Sequence, residues 1–268
     1  MKNTIEVIRR LYRNRYVAKK DFDLNQLTNE EKLIVKEIQS KSYKIIPNFL
    51  SEEVVVSMRE KLDSIFDSYT DKEKIEIYNK ISNDKNLKTG ITAETGFKIW
   101  MDKNLSDNRI IHAELLSNLF ADYFQNKFIL NVGSGFMKLK IKPKHAMANK
   151  TVFVENNLGS GGGWHRDNIY AFGFKGLVYL NDVTPENGPF QIIPKSSSLN
   201  FHILKTNTPD KYQFTDNEIQ NYISSSDQIK EITAKAGTLV LFDTNCIHRG
   251  KPITKGTRYA LTNYYTEN

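Results

Sequence analysis

Residues 161–170, with the sequence GGGWHRDNIY, place two strong metal ligands two positions apart, His165 and Asp167. On a strand, residues i and i+2 project to the same side, so both side chains can reach one ion. The pair alone is a weak signal, because a half-buried histidine paired with a carboxylate near a turn has the same spacing. A metal site therefore requires a third ligand elsewhere in the chain.

His248 is the strongest candidate for the third ligand. It follows GTLVLFDTNCI, an apolar stretch typical of a buried strand that ends in a polar turn. Two imidazoles and one carboxylate leave three positions of an octahedral ion open, which suits non-haem Fe(II) that must bind a cosubstrate and O2. The remaining histidines are predicted not to be ligands, since His112 lies in a predicted helix and His145 in a polar loop; His202 is assigned with them.

Arg258 lies ten residues after His248. If HRGKPITKGT is a turn between neighbouring strands, Arg258 points back into the cavity that holds the metal. A buried arginine beside a metal needs an anionic partner, and a dicarboxylate cosubstrate would supply one through paired hydrogen bonds. The alternative is a surface arginine at the start of a strand.

The elements that must position these side chains change in character near residue 126. Short segments rich in β-branched and aromatic residues follow, punctuated by glycine, proline and asparagine: FILNV, FMKLKIK, TVFVE, GLVYLNDV, FQIIP, FHIL, GTLVLFD and RYALTNYY. The turn Pro185–Pro189 predicts a hairpin through Asn187 and Gly188. Strands and helices do not alternate regularly, so the pattern predicts a mainly β jelly-roll (cupin-like) core with flanking helices.

The first 125 residues have mainly helical periodicity. Helices are predicted to begin near Thr28 and near Ser51, where acidic residues follow hydroxyl caps, and residues 111–126 repeat the helical spacing. Residues 205–228 predict a long polar loop with a small helix. We expect a single domain over 1–268, with a helical flank over 1–125 and the β core over 126–268.

These segments resemble the phytanoyl-CoA dioxygenase family of Fe(II)- and 2-oxoglutarate-dependent oxygenases. The resemblance covers about residues 42–266 and is carried by WHRD, by GLVYLNDVTPENGPFQIIPKSS, by the stretch from GTLVLFD to TNYY, and by SYKIIPNFLSEEVVVSMREKLDSIF near the start. It implies a double-stranded β-helix with a metal at its mouth. It also implies a non-haem iron dioxygenase that hydroxylates a C–H bond of a small molecule, lipid, sugar or carrier-bound substrate, and releases succinate and CO2.

The family motif assigns roles to particular residues. By resemblance His165, Asp167 and His248 are the catalytic iron ligands, and Arg258 binds the distal carboxylate of 2-oxoglutarate. Related halogenases have a small residue in place of the carboxylate ligand, so Asp167 favours hydroxylation, desaturation or ring closure. Family members often carry a serine two residues after the distal histidine. Here Gly250 occupies that position, so a hydroxyl contact to the cosubstrate is missing or comes from elsewhere.

Several nearby residues are weaker candidates for substrate contacts. Asn168, Tyr170 and Phe172 follow the first two ligands and could contact the substrate, although they could equally pack in a lid. Lys138 in FMKLKIK is a further candidate, with a position on a solvated strand face as the alternative. The glycines at 159 and 161–163 form either a lid hinge or a connection that needs positive φ. Trp164 should face away from the metal into the core.

Composition limits the partners and the compartment. The net charge is +7, and residues 1–20 carry seven Lys or Arg side chains and one Glu at amphipathic helical spacing. A docked helix with a solvated basic face explains this segment, and contact with an anionic membrane surface or an anionic, carrier-bound substrate is the alternative. No basic stripe recurs further along the chain, so we expect no nucleic-acid partner.

The chain has a single cysteine, Cys246, which we expect to be buried. It also has no apolar run of 18 residues. Together these two features favour a cytoplasmic protein.

Three other functions remain open from the residues. A catalytically silent jelly-roll binding protein would keep the metal site without turnover. A zinc hydrolase would use the same three ligands but leaves Arg258 without a role. A membrane or glycan-assembly partner would act through residues 1–20.

Overall fold

The structure, a computed structural model, contains two antiparallel β-sheets in the part of the chain that it describes. It describes residues 5, 21–167, 173–198, 201 and 211–267. The predictions for segment 1–20, for Asn168, Tyr170 and Phe172, for His202 and for most of the FHIL strand lie outside these residues.

The strands of the larger sheet follow the order β1-β11-β7-β13-β5-β4-β3-β2, and those of the smaller sheet the order β10-β8-β12-β6-β9. Their bounds are β1 Tyr43–Ile46, β2 Ile91–Thr92, β3 Lys98–Met101, β4 Asp107–Ile111, β5 Ile141–Val152, β6 Trp164–His165, β7 Phe174–Tyr179, β8 Phe190–Ile192, β9 Gln213–Phe214, β10 Lys230–Ile232, β11 Leu239–Asp243, β12 His248–Gly250 and β13 Thr257–Glu267. The helices are α1 Asn29–Lys41, α2 Glu52–Phe66, α3 Asp71–Asn83, α4 Asn118–Phe124, α5 Lys127–Met137 and α6 Asp216–Tyr222. This arrangement is the predicted jelly roll with flanking helices.

The larger sheet separates two apolar environments. Val178 on β7 packs into the core formed with the helices, whereas its neighbours Leu177 and Tyr179 pack toward the smaller sheet with Phe190 and Phe242. The alternation of side chains along a strand explains this division. The helices in the first half of the chain therefore support one face of the sheet and leave the other face free to form a cavity.

The predicted helix starts near Thr28 and Ser51 are confirmed. The Thr28 hydroxyl accepts a hydrogen bond from the Glu31 backbone N–H at 3.1 Å, and the Glu31 carboxylate accepts one from the Thr28 N–H at 2.8 Å, which is a capping box. Ser51 caps α2 through the Val54 N–H. The helical period over 111–126 corresponds to a 3₁₀ turn, Ala113–Leu115, followed by α4. None of the helices in the described part of the chain has both the length and the apolar character of a membrane span.

The strands predicted at FILNV and through the first part of FMKLKIK are wrong. Residues Lys127–Met137 form α5, whose start is capped by the Asn126 side chain accepting from the Ile129 N–H. Ile129, Val132 and Phe136 are buried at helical spacing, a pattern that a short apolar run shares with a buried strand. Lys138 ends this helix in the left-handed conformation (φ 57°), so it lies on no strand and does not line the cavity described below.

The hairpin predicted through Asn187 and Gly188 is also wrong. A turn is present, with Gly188 at φ 70°, but the strands on its two sides belong to different sheets. β7 pairs with β11 and β13, whereas β8 pairs with β10 and β12. The Asn-Gly pair therefore carries the chain from one sheet to the other.

Two histidines occupy elements other than those predicted. His112 is not helical; it has φ 66° at the end of β4. His145 lies on β5, not in a loop, and stacks on Tyr264 with ring centroids 4.4 Å apart. Neither belongs to the metal-binding group found among the described residues.

Candidate metal centre and cavity

Antiparallel pairing in the smaller sheet brings the two candidate histidine ligands together. His165 on β6 lies directly opposite His248 on β12, and their ring centroids are 4.4 Å apart. Asp167 follows β6 and is fixed by its backbone N–H, which donates to the Thr244 carbonyl at 3.1 Å. The alternation of side chains then points His165 and Asp167 to the same side.

One potential ligand atom from each of these three residues lies within 4.8 Å of the others. Asp167 Oδ1 is 3.7 Å from His165 Nε2 and 3.9 Å from His248 Nε2. The Nδ1 atoms lie 2.9 Å from the Gly163 carbonyl and 2.8 Å from the Cys246 carbonyl. Because a carbonyl only accepts, each Nδ1 donates and each Nε2 keeps its lone pair, which faces the carboxylate.

Burial and charge keep both imidazoles neutral and the carboxylate ionised. Burial lowers the pKa of His248 to about 3, with a contribution from the neighbouring His165, and burial also lowers the pKa of His165. Burial alone would raise the pKa of Asp167, but the Lys175 ammonium, which also forms a hydrogen bond with it, outweighs burial and lowers that pKa. All three groups are therefore in the protonation state that binds a metal ion.

Arg258 lies on β13 and lines the same cavity as the three residues above. Its side chain is buried, and its guanidinium donates to the Gly188 carbonyl. Burial lowers the pKa of Arg258, although arginine stays protonated at neutral pH. Among the described residues no carboxylate forms a salt bridge with it, so the cavity contains a buried cation that lacks an anionic contact.

Gly250 lies directly against this guanidinium. A Cβ at position 250 would lie 2.6 Å from Arg258 Nη2 and 2.9 Å from the Ser160 Cβ. Ser160 also lines the cavity, and its hydroxyl accepts a hydrogen bond from Asn149 Nδ2 at 3.0 Å. Ser160 and the Arg258 guanidinium therefore border the space that a side chain at position 250 would fill.

The glycines before the first ligand have positive φ, with Gly161, Gly162 and Gly163 at 90°, 69° and 95°. A Cβ at Gly161 would also collide with the His165 ring. These conformations match the predicted alternative of a connection that needs positive φ. Trp164 is buried in a separate cluster and donates to Asp216 at 2.9 Å, so it faces away from the metal centre as predicted.

Lys175 is a cavity residue that the sequence analysis missed. It lies on β7, is 7% exposed, and its ammonium is 2.5 Å from Asp167 Oδ2 and 4.0 Å from the centre of the Tyr264 ring. The attraction of Asp167 raises the pKa of Lys175 despite its burial. The signal was available, because Lys175, Leu177 and Tyr179 alternate along an otherwise apolar strand and must share one face.

The cavity between the two sheets has a volume of about 230 Å³. Its walls combine apolar side chains, such as Leu177, Phe190 and Phe242, with the polar residues described above and Arg109. Arg109 is already neutralised, since its guanidinium pairs with Asp107.

A family model for phytanoyl-CoA dioxygenase (PhyH) matches residues 39–260 of this chain. The chain belongs to the phytanoyl-CoA dioxygenase family. It is thus a non-haem oxygenase of the type that uses Fe(II), 2-oxoglutarate and O2. No curated protein matches the sequence significantly.

Solved structures share the fold at low sequence identity. SnoN, a non-haem α-ketoglutarate-dependent epimerase from nogalamycin biosynthesis, has a TM-score of 0.57 and 12% identity over 89% of this chain and 83% of that chain. HygX from Streptomyces hygroscopicus, with nickel and 2-oxoglutarate bound, has a TM-score of 0.52 and 15% identity over 90% and 88%. EctD from S. alaskensis, with 2-oxoglutarate and 5-hydroxyectoine, has a TM-score of 0.55 and 15% identity over 90% and 76%. At such identities the likeness shows the fold alone.

Proposed function

We propose that this protein hydroxylates a C–H bond of a small molecule while converting 2-oxoglutarate to succinate and CO2. The observation that carries the proposal is the convergence of two neutral imidazoles, one ionised carboxylate and a buried arginine on one cavity. A zinc hydrolase would account for the first three groups but gives Arg258 no role.

The donor set fits Fe(II). His165 and His248 would bind through Nε2 and Asp167 through Oδ1, the atoms that face one another. Two nitrogen ligands and one carboxylate oxygen suit non-haem iron and leave positions open for other groups. The carbonyls of Gly163 and Cys246 hold the imidazole rings in the orientation that metal binding needs.

Arg258 and Ser160 fit the far carboxylate of 2-oxoglutarate. The guanidinium is buried in the cavity and has donors available for a carboxylate beyond the one used on Gly188. We propose that the Ser160 hydroxyl replaces the one that family members carry two residues after the distal histidine, since Ser160 lies next to the position of that side chain, beside the Arg258 guanidinium.

When bound together, Fe(II), 2-oxoglutarate and O2 supply the oxidising power for cleavage of a C–H bond. The protein positions the reactants and limits water: Leu177, Phe190 and Phe242 give the cavity apolar walls. Asp167 stays ionised across the physiological pH range, so it remains available as a ligand. We keep Asn168, Tyr170 and Phe172 as proposed substrate contacts because they follow Asp167 directly in the chain.

A small-molecule substrate is favoured by structures with the same fold. HygX has been solved with hygromycin B and EctD with 5-hydroxyectoine, both in complexes that contain 2-oxoglutarate. We also propose that residues 1–268 form one oxygenase domain, because helices from the first half and strands from the second half share one core. A cytoplasmic location is proposed from the single, buried cysteine.

The test has two steps. Fe(II) and 2-oxoglutarate are first added without O2, and we expect the visible charge-transfer band that the two give when bound to one site. Succinate release is then measured with O2 against a panel of metabolites, lipids and sugar nucleotides. Failure to form the band would refute the metal site, and a band without O2-dependent succinate for any substrate would favour a silent binding protein.

A further inference from the structure

Lys175 lies at the end of the cavity opposite Arg258. On β13, Tyr264 is paired with Lys175 of β7, and Arg258 lies six residues earlier, which corresponds to about 20 Å of strand. The candidate metal ligands lie between these ends, since Asp167 contacts Lys175 and Gly250, two residues after His248, contacts Arg258. A cosubstrate that spans from the metal to Arg258 therefore leaves the Lys175 end for another molecule.

Lys175 is held in a buried, polar environment by specific contacts. The side chain is 7% exposed, and its ammonium contacts Asp167 Oδ2 and the face of Tyr264. The other oxygen of Asp167, Oδ1, faces the two imidazoles. The hydroxyl at the edge of the same Tyr264 ring has a weak contact with Met147 Sδ at 3.8 Å, so it is a second polar group close to the ammonium.

The charges of the cavity do not balance. Among the described lining residues, Arg109, Lys175 and Arg258 are cations and Asp167 is the only carboxylate. Arg109 is neutralised by Asp107, which leaves one more cation than anions. The charges of a divalent metal ion and of 2-oxoglutarate cancel, so the surplus persists when both are bound. A buried surplus cation is costly unless an anion pairs with it.

We propose that Lys175 binds the carboxylate or phosphate group of an anionic small-molecule substrate. Because the site adjoins Asp167, this group would hold the rest of the substrate beside the metal. The inference rests on the proposed function and adds the substrate class to it. Lys175, which lines the cavity, thus replaces Lys138, the lysine that the sequence suggested as a substrate contact.

The first test measures anion binding to the enzyme loaded with Fe(II) and 2-oxoglutarate without O2. Inorganic phosphate, acetate and the neutral acetamide are titrated while the visible band is monitored. We expect phosphate or acetate to shift the band, acetamide to have no effect, and the dissociation constant to rise at least about tenfold in Lys175→Gln. Gln keeps a donor for Asp167 but removes the charge. Lys175→Arg should retain anion binding, and the exposed Lys144→Gln should match the wild type.

Three results would overturn the inference. They are equal anion affinity in Lys175→Gln and wild type, an equal loss of anion affinity in Lys175→Gln and Lys144→Gln, and competition between the anion and 2-oxoglutarate for binding.

If Lys175→Gln cannot bind metal, a crystal structure of the wild type with Ni(II), 2-oxoglutarate and phosphate provides the test. The inference requires phosphate within hydrogen-bond distance of Lys175 Nζ, and phosphate bound elsewhere would overturn it. Absence of the Fe(II)–2-oxoglutarate band in the wild type would instead refute the proposed function. A normal band without Lys175-dependent anion binding would refute only this inference.

Discussion

At the scale of single residues, the site depends on contacts that fix which atom of each side chain is free. His165 and His248 each use Nδ1 on a backbone carbonyl and so present Nε2 to the cavity. Asp167 divides its two oxygens between the imidazoles and Lys175. The sequence could predict the ligand types from their spacing and strand alternation. Strand alternation could place Lys175 on the cavity face, but could not predict its contact with Asp167. The sequence could not predict Ser160, because its position depends on how the glycine-rich connection packs against other strands.

Replacement of Asp167 by Ala should abolish metal-dependent turnover. We expect Fe(II) affinity to fall at least about 100-fold and succinate release to be lost, since one of three ligands is removed. The far-ultraviolet circular dichroism spectrum should be unchanged, although the unfolding midpoint should fall because Lys175 loses its counter-ion. Asp182→Ala, at an exposed ion pair with Lys235, is the matched control. Full turnover by Asp167→Ala would remove the proposed ligand set.

The hydroxyl that contacts 2-oxoglutarate should be transferable from position 160 to position 250. Ser160→Ala removes one hydroxyl and should raise the dissociation constant of 2-oxoglutarate about tenfold without changing that of Fe(II). Gly250→Ser should weaken 2-oxoglutarate binding further, because its Cβ would lie 2.6 Å from Arg258 Nη2 and 2.9 Å from the Ser160 Cβ. The double variant Ser160→Gly, Gly250→Ser should recover part of the affinity, because it removes the contact with the Ser160 Cβ and restores one hydroxyl, while the contact with Arg258 remains. If the two substitutions weakened 2-oxoglutarate binding additively in the double variant, the proposal that Ser160 substitutes for a serine at position 250 would be contradicted.

At the scale of elements, capping signals were more informative than short apolar runs. Hydroxyl caps followed by acidic residues predicted the starts of α1 and α2. The run FILNV was ambiguous, because a buried helix and a buried strand both tolerate consecutive apolar residues. The Asn187–Gly188 turn was predicted from local chemistry, but the sheet in which each flanking strand pairs depends on contacts distant in the chain.

Two capping boxes allow a matched test of how caps stabilise the fold. Glu31 is 5% exposed, closes the Thr28 box and also accepts a hydrogen bond from Asn131 of α5 at 2.9 Å. Glu73 closes the same box with Thr70 on the surface of α3. We expect Glu31→Ala to lower the free energy of unfolding by about 2–3 kcal/mol, and Glu73→Ala, at a fully exposed box, to lower it by much less. Equal losses in urea denaturation would show that the link to α5 contributes nothing.

At the scale of the whole molecule, the two sheets hold complementary halves of the site. The smaller sheet carries the candidate histidine ligands, whereas the larger sheet carries Arg258 and Lys175. The cavity therefore exists only when both sheets are packed together. This explains why residues separated by more than eighty positions, from His165 to Arg258, converge only in the folded chain.

The burial of uncharged histidine predicts how the stability of the metal-free protein depends on pH. Burial, with help from nearby cations and His112, lowers the pKa of His145 to about 4 from its ordinary 6.5. Between these values the unfolded chain binds a proton that the folded chain does not, so stability must fall as the pH falls from 6.5 toward 4.

His145→Phe should reduce this loss, since it keeps an aromatic ring beside Tyr264 but removes the titrating group. In urea denaturation of metal-free protein, the decrease in unfolding free energy from pH 7 to pH 5 should be smaller in His145→Phe than in the wild type. The expected difference is about 1 kcal/mol, after allowance for the solvent that reaches part of the ring. His248 keeps some of the pH dependence in both proteins, because burial lowers its pKa to about 3. Identical pH dependence in the two proteins would mean that His145 titrates normally in the folded state.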